Sequence, residues 1–262
     1  MKQKQNLHIV MQAKGGVGKS FISALLLEFI SHKAKNQALG IDTDFNNHSL
    51  SDIESLDVTF LSIMSDGQEV DIKKFDDLTM FLLESVKTKN KDIVIDIGAS
   101  TFTPYFQYIN ESGIFEILGS SYNIFVHIPI AGGQSQDDCL NGMDQMIAAF
   151  EDRCSYVVWA NEHFGELKNN QGNSFEEIEQ YTKHKEKIFG LMYMRKRDVL
   201  FSNAIERLKK SRKTFSDVNM DDSFNILDKS RLQKVKNDYW QMLDIIIPTG
   251  STTTQKKEAQ TE

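Results

Sequence analysis

The chain has few of the residues that cross-link, break or anchor a fold. Two cysteines, Cys139 and Cys154, are too few for a disulfide framework or a four-thiolate metal site. Only three prolines interrupt 262 residues, which disfavours a disordered or linker-rich protein. No apolar run approaches the roughly 18 to 20 residues that span a bilayer, and no charged-then-apolar leader precedes the first strand. We therefore expect a cytoplasmic protein.

The overall composition favours a globular α/β protein. Hydrophobic residues make up 40% of the chain and charged residues 26%, which is typical of a soluble domain with a core. Acidic residues outnumber basic ones by 37 to 30, so the net charge is −7, which argues against a protein that coats DNA through overall positive charge. The six histidines lack the spacing of a zinc site.

Short apolar runs alternate with longer amphipathic ones, as in βαβ units around a mostly parallel sheet with helices on both faces. Strands are expected at residues 7–11, 38–41, 56–63, 92–96, 122–128, 156–160 and 187–192. Helices are expected at residues 20–35, 73–87, 137–150, 198–210 and 223–246. The pattern predicts a single doubly wound domain over residues 1–248, followed by a disordered tail at residues 249–262 that has no apolar periodicity.

The most specific motif lies between the first strand and the first helix. Glycines there would let successive backbone N–H groups close around phosphate oxygens, and the helix that follows would direct its positive end to the same place. Lys19 would supply a positive charge for the β and γ phosphates, and the Ser20 hydroxyl would ligate Mg²⁺. The predicted nucleotide-binding residues of this loop are Lys14, Gly15, Gly16, Val17, Gly18, Lys19, Ser20 and Phe21.

The loop departs from the ordinary phosphate-binding spacing, because Ala13 stands where the first glycine is expected and Lys14 adds a second lysine. This pattern resembles the deviant Walker A motif, K-G-G-x-G-K-[ST], of the ParA/MinD superfamily of P-loop ATPases. The resemblance implies that Lys14 reaches across a nucleotide-sandwich dimer to the partner's phosphates. It also implies ATP and Mg²⁺ as ligands, ATP-dependent dimerisation and slow ATP hydrolysis, with Lys14, Lys19 and Asp44 as the catalytic residues.

Acidic residues follow two of the predicted strands. Asp42 and Asp44 come at the end of the second strand, and Asp96 ends the buried strand at residues 92–96. In doubly wound sheets such strand ends face the crevice where ligands bind. The resemblance implies that Asp44 positions the attacking water, that Asp42 lies near the water shell of the metal, and that Asp96 is the Walker B residue contacting Mg²⁺. The alternatives are that Asp42 and Asp44 open a turn and that Asp96 caps the next helix.

Asn161 follows the strand at residues 156–160. In ParA-like proteins an asparagine at this place hydrogen-bonds adenine, and the paired donor and acceptor of an amide suit that edge. The alternative is an asparagine that ends a strand in a turn.

Segments outside the phosphate loop indicate a branch of the superfamily. They resemble TraL/StbB-type conjugal-transfer ATPases, and the resemblance spans about residues 7 to 215. Such a relationship implies a role in plasmid transfer or in plasmid stability and partition, together with other plasmid proteins. The segments that carry it are residues 11–14, 42–46, 96–104, 132–133 and 159–165.

Several alternatives stay open at this point. The basic stretch Arg207–Lys213 holds five bases in seven residues, as in a DNA-binding surface or a solvated helix face. The segment at residues 223–247 favours packing on the sheet over a membrane helix, so no stable membrane anchor is expected. The functional alternatives are a nucleotide-gated interaction module with negligible hydrolysis and a P-loop ligase or kinase. An iron–sulfur carrier is disfavoured because both cysteines fit ordinary buried thiols.

Overall fold

The computed structural model describes residues 4–33, 38–45, 47–65, 69–88, 91–169 and 171–247. Its strands are β1 Gln5–Val10, β2 Leu39–Asp42, β3 Val58–Phe60, β4 Ile93–Asp96, β5 Tyr122–Ala131, β6 Ser155–Asn161 and β7 Ile188–Met194. Its helices are α1 Lys19–Lys33, α2 Lys73–Thr88, α3 Ala99–Glu111, α4 Ile114–Gly119, α5 Gln136–Phe150, α6 Glu179–His184, α7 Val199–Lys210, α8 Phe215–Asn219 and α9 Ile226–Ile246. The tail predicted at residues 249–262 lies outside the described residues.

These strands pair in parallel in the order β3-β2-β4-β1-β5-β6-β7. The chain runs outward from β1 on one side through β2 and β3, returns at β4, and then runs outward on the other side through β5, β6 and β7. The order therefore reverses beside β1, and the carboxyl ends of β1 and β4 border the crevice that such a reversal creates. This arrangement confirms the predicted doubly wound sheet in a single domain.

Apolar layers cover both faces of the sheet. One layer contains buried residues of α2, α3, α4, α5 and α6, and the other contains buried residues of α1, α7, α8 and α9. Along β1 the side chains alternate between them, since Leu7 and Ile9 belong to the first layer and Val10 to the second. Burial on both faces explains why the strands read as continuous apolar runs in the sequence. The helix α9 packs in the second layer through Leu232, Val235, Tyr239 and Leu243, as predicted for residues 223–247.

The structure differs from the sequence predictions at one strand and at four helices. Of the strand expected at residues 56–63, only Val58–Phe60 pairs with a neighbour and forms β3. The neighbouring strand β2 has only four residues, so the pairing ends where β2 ends. The helices α3, α4, α6 and α8 are absent from the sequence predictions, and the longest of these is α3. Pro104 lies within it, and a proline inside a helical pattern normally indicates a helix boundary. Buried residues at helical spacing, Phe102, Tyr105 and Ile109, nevertheless fix this helix on the sheet.

Two buried histidines form a chain of hydrogen bonds across the sheet. Trp159 Nε1 donates to His127 Nδ1 at 3.0 Å, and His127 Nε2 lies 2.9 Å from His8 Nδ1. Because His127 accepts at Nδ1, its proton must sit on Nε2 and be donated to His8. His8 Nε2 then carries a proton and has no hydrogen-bond partner among the described residues. Burial lowers the pKa of His8 to about 3 and that of His127 well below its ordinary value.

These lowered pKa values predict an acid-sensitive fold. Below about pH 6.5 these histidines bind protons in the unfolded chain but stay neutral in the folded chain. The free energy of unfolding therefore decreases by about 1.4 kcal/mol per histidine for each unit by which the pH is lowered. His8→Gln keeps an acceptor for His127 and removes one titration. Urea unfolding between pH 6.5 and 4.5 should show a shallower acid decline for His8→Gln than for the wild type, and parallel declines would contradict the assignment.

Candidate functional site

The loop between β1 and α1 has the backbone geometry of a phosphate cradle. Gly16 and Gly18 have φ values of +75° and +101°, which side-chain-bearing residues rarely adopt. The loop turns there so that α1 begins at Lys19 directly behind it. Lys19 Nζ donates to the Lys14 carbonyl oxygen at 3.0 Å and thereby folds back along the loop. The loop and the first turn of α1 thus border the same space, and phosphate binding there stays a prediction.

Lys19 is a poorly solvated cation. Its side chain is buried, and burial lowers its pKa below the ordinary lysine value. The negative charges of Asp96 and Asp44 oppose that shift, so both acids lie near enough to act on the ammonium group. A phosphate entering this position would add negative charge and charge-assisted hydrogen bonds to this buried cation.

Asp96 lies at the carboxyl end of β4, in register with Val10 of β1 and Asp42 of β2. It is fully buried, and neither carboxylate oxygen has a hydrogen-bond partner among the described residues. Burial, together with the negative charge of Asp42, raises the pKa of Asp96 to about 7, while the nearby hydroxyl groups of Ser20 and Ser23 and the charge of Lys19 lower it. Two unsatisfied buried carboxylate oxygens are unusual in a folded protein and indicate a ligand.

This donor set fits Mg²⁺. The ion prefers oxygen ligands and keeps several waters, so it needs only one or two protein groups beside nucleotide phosphates. Asp96 and the Ser20 hydroxyl offer such oxygens at the foot of the loop. The described residues contain no cluster of three or more histidines, cysteines or acids that would hold a metal ion without a nucleotide.

Asp42, the acid at the end of β2, has its hydrogen bonds satisfied locally. Asp42 is buried, and its carboxylate oxygens accept from the backbone N–H groups of Asp44 and Ser51, each at 3.0 Å. Burial raises its pKa despite these donors. Asp42 therefore stabilises the loop after β2 through these hydrogen bonds, and it lies beside Asp96 in the sheet. Its predicted contact with the metal's water shell stays a prediction.

Asn161 ends β6 and is buried against the phosphate loop. Its Nδ2 donates to the Val17 carbonyl oxygen at 3.0 Å, and its Oδ1 accepts from the backbone N–H of His163 at 3.1 Å. Both ends of the amide are thus engaged within the chain. The side chain of Asn161 thus links the end of β6 to the phosphate loop. Its contact with adenine stays a prediction.

Lys19 and Asn161 border a cavity of about 440 Å³, whereas Asp42 and Asp96 are not among the residues that line it. The phosphate loop forms one end, together with Asp44 and Asn161. Other parts of the wall come from segments that sequence reasoning did not connect with the site, among them His163 and Phe164 after β6, Met194, Arg195 and Arg197 at and after β7, and Lys209, Arg212 and Lys213 of the basic stretch. A basic run at residues 195–197 is visible in the sequence. Only the parallel pairing of β6 with β7 brings it to the nucleotide end of the sheet.

Lys14 points away from the loop, toward the first turn of α5. Its Nζ lies 2.7 Å from Asp138 Oδ2, and the two side chains are 41% and 60% exposed. The hydrogen bond and the charge of Asp138 raise the pKa of Lys14, so it is cationic at neutral pH. An ion pair this exposed to solvent is weak and can exchange for another anion.

The basic stretch at residues 207–213 is matched by acids of the same chain. Four of its five bases form ion pairs, which are Arg207–Asp228, Lys209–Glu206, Arg212–Asp52 and Lys213–Asp221. This arrangement lowers the net positive charge offered to an external polyanion. DNA binding through this stretch stays a prediction.

The two cysteines are free, with Cys139 buried and Cys154 partly buried. Burial raises the pKa of both thiols, so neither has the thiolate character of a metal ligand or nucleophile. No helix among the described residues is long and apolar enough to cross a bilayer.

Comparisons with known proteins relate the whole chain to one group. No family model matches the sequence. Two proteins named TraL from Escherichia coli are each 30% identical over 240 residues, which cover 91% of this chain and 97% of theirs. A ParA family ATPase from Chlorobium tepidum superposes with a TM-score of 0.51 at 14% identity, covering 92% of this chain and 99% of its own. A plasmid partition protein from Borrelia burgdorferi gives 0.50 at 13% identity, covering 93% and 100%. The chain therefore belongs to the TraL family and has the fold of the ParA/MinD P-loop ATPases.

Proposed function

We propose that this protein binds MgATP in the cavity beside α1, dimerises on it and hydrolyses it slowly, in support of plasmid conjugal transfer or of plasmid stability and partition. The observation that carries the proposal is a carboxylate without hydrogen-bond partners, Asp96, beside a desolvated cation, Lys19, at the end of a glycine loop. A magnesium-bound phosphate chain would supply a metal ligated by Asp96 and phosphate oxygens bound by Lys19.

In this proposal the chain's own groups act mainly by position and charge. The amides of residues 15–20 and the Lys19 ammonium hold the phosphates, while Ser20 and Asp96 hold the metal, with Asp42 near its waters. Mg²⁺, when bound, would neutralise charge that develops on the phosphate oxygens. Asp44 lines the same cavity and would orient the attacking water. Asn161 and the residues after β7 would border the base.

The biological role rests on relationship rather than on the site. The relatives that match the chain over nearly its full length are TraL proteins, and one similar structure is a plasmid partition protein. Partners among other plasmid proteins follow from that relationship.

Lys14 provides the test of dimerisation. In the single chain it is paired with Asp138, and in the proposed dimer it would exchange that carboxylate for the phosphates bound by the partner subunit. Lys14→Ala should bind MgATP within about tenfold of the wild type, because one exposed contact is lost, yet form no ATP-dependent dimer. Calorimetry measures binding, and light scattering with and without MgATP measures the dimer.

Asp138→Ala is the matched control, since it breaks the same ion pair and keeps the lysine. It should dimerise at least as readily as the wild type. ATP-dependent dimers of Lys14→Ala would overturn the role of Lys14. Tight MgATP binding without phosphate release would favour the nucleotide-gated interaction module over the ATPase, and no binding at all would overturn both.

A further inference from the structure

Thr43 stands between Asp42 and Asp44, and its side chain is fully buried. Its backbone N–H donates to the Asp96 carbonyl oxygen at 3.1 Å, and its hydroxyl donates to the same oxygen at 2.9 Å. The hydroxyl also accepts the backbone N–H of Gly98 at 3.4 Å. One side chain therefore joins the segment after β2 to the segment after β4, at the point where the pairing of the two strands ends.

The same two segments touch again at Gly98. A Cβ atom at this position would lie 2.9 Å from the Asp44 Cα and 3.2 Å from its Cβ. Cβ atoms do not approach backbone so closely, so only glycine permits this contact. Asp44 is thus held by Thr43, its neighbour in the chain, and by Gly98 across the gap between the strands.

Both segments border the nucleotide cavity. Asp44 and Ala99 line it together with Lys19. Ala99 also lies close to the phosphate loop, since its Cβ is 3.8 Å from the position a Cβ would take at Gly15. A phosphate that displaces the start of α3 would therefore also displace the Gly98 N–H, and through Thr43 the backbone that carries Asp44.

We propose that Thr43 is a positioning residue that couples the Gly98 segment to Asp44, so that occupancy of the phosphate site sets the place of the Asp44 carboxylate. This inference rests on the proposed function, because it assigns the coupling to ATP hydrolysis. The hydroxyl is suited to the task because it donates and accepts at the same time. Serine shares that property, whereas valine has the same shape and neither function.

Two variants test the coupling. Thr43→Val should lower kcat for ATP about tenfold or more, because a carboxylate displaced by about 1 Å orients water poorly. Its ATP affinity should stay within about threefold of the wild type, since Thr43 is not among the residues that line the cavity. Thr43→Ser should restore kcat. Thr43→Ala, which is smaller, gives a second variant without the hydroxyl should the valine fit poorly.

Hydrogen exchange provides a readout that needs no turnover. Amides of residues 44–45, 47–53 and 97–101 should exchange faster together in Thr43→Val than in the wild type or Thr43→Ser, with or without nucleotide. Faster exchange in only one segment, or in neither, would overturn the coupling, as would a kcat of Thr43→Ser as low as that of Thr43→Val. Absence of MgATP binding by the wild type would instead overturn the proposed function, and the exchange comparison would still decide whether Thr43 joins the segments.

Discussion

Lys19→Ala is expected to abolish measurable ATP turnover and to weaken MgATP binding by about a hundredfold or more. The reason is the environment of the ammonium group. It is buried at the head of α1, and burial has already lowered its pKa, so its attraction for a phosphate is little screened by water. Its removal takes away the buried positive charge of the loop, so that the loop amides and, in the proposed dimer, Lys14 of the partner subunit remain at the phosphates. Calorimetric titration with MgATP and a phosphate-release assay measure the two effects.

The structure supplies a control on the same helix. Lys33 lies in the last turn of α1, where its Nζ pairs with Asp244 at 2.8 Å, far from the phosphate loop. Lys33→Ala removes the same charge from the same helix and should leave MgATP binding unchanged. Lys19→Ala should not lower the melting temperature of the nucleotide-free protein, because it removes a charge that the fold desolvates. Turnover of Lys19→Ala within about threefold of the wild type would contradict the assignment of the site.

Asp96→Asn should separate stability from function. The substitution keeps the shape of the side chain and removes the charge proposed to hold Mg²⁺. We expect ATP turnover to fall by about a hundredfold or more, and the strengthening of ATP binding by Mg²⁺ to disappear. Titrations with ATP in Mg²⁺ and in EDTA measure that strengthening directly.

The stability effect has the opposite sign. The pKa of Asp96 is raised in the folded chain, so the folded state retains a proton that the unfolded state releases. The contribution of this proton to stability is fully present below the ordinary carboxyl pKa and is lost as the pH rises through about 7. The free energy of unfolding that is lost amounts to about 1.4 kcal/mol for each unit by which the folded-state pKa is raised. Asp96→Asn should therefore raise the melting temperature of the nucleotide-free protein at pH 8 and have little effect at pH 4.

Asp92 is the matched control for this prediction. It precedes the same strand, and burial raises its pKa too, but its carboxylate accepts from Asn6 N and Asn6 Nδ2 at 2.8 and 3.2 Å. Asp92→Asn removes a satisfied acceptor, so it should not stabilise the protein and should leave nucleotide binding intact. Equal effects of the two substitutions would mean that the absence of partners at Asp96 has no functional meaning.

The phosphate loop could be predicted from the sequence because its function depends on neighbours in the chain. Two glycines with positive φ, the lysine that opens α1 and the adjoining hydroxyl lie within a few residues of one another. The acids were also predictable as strand ends, since Asp42 and Asp96 close β2 and β4. Their register with each other came only from the structure, because it requires β2 and β4 to be neighbours in the sheet. The helix α3 was missed because Pro104 lies in an otherwise helical segment.

Local sequence by itself thus determined the phosphate loop, the alternation of strands and helices, and the acids that face the crevice, because each depends on residue types and spacing along the chain. Only the tertiary structure decided which distant segments meet there. The pairing of β6 with β7 brings Arg195 to the cavity, the contact of Gly98 with Asp44 links two loops, and Asp138 holds Lys14 in the single chain. Such contacts depend on strand order and close packing, so they cannot be predicted from the spacing of residues along the chain.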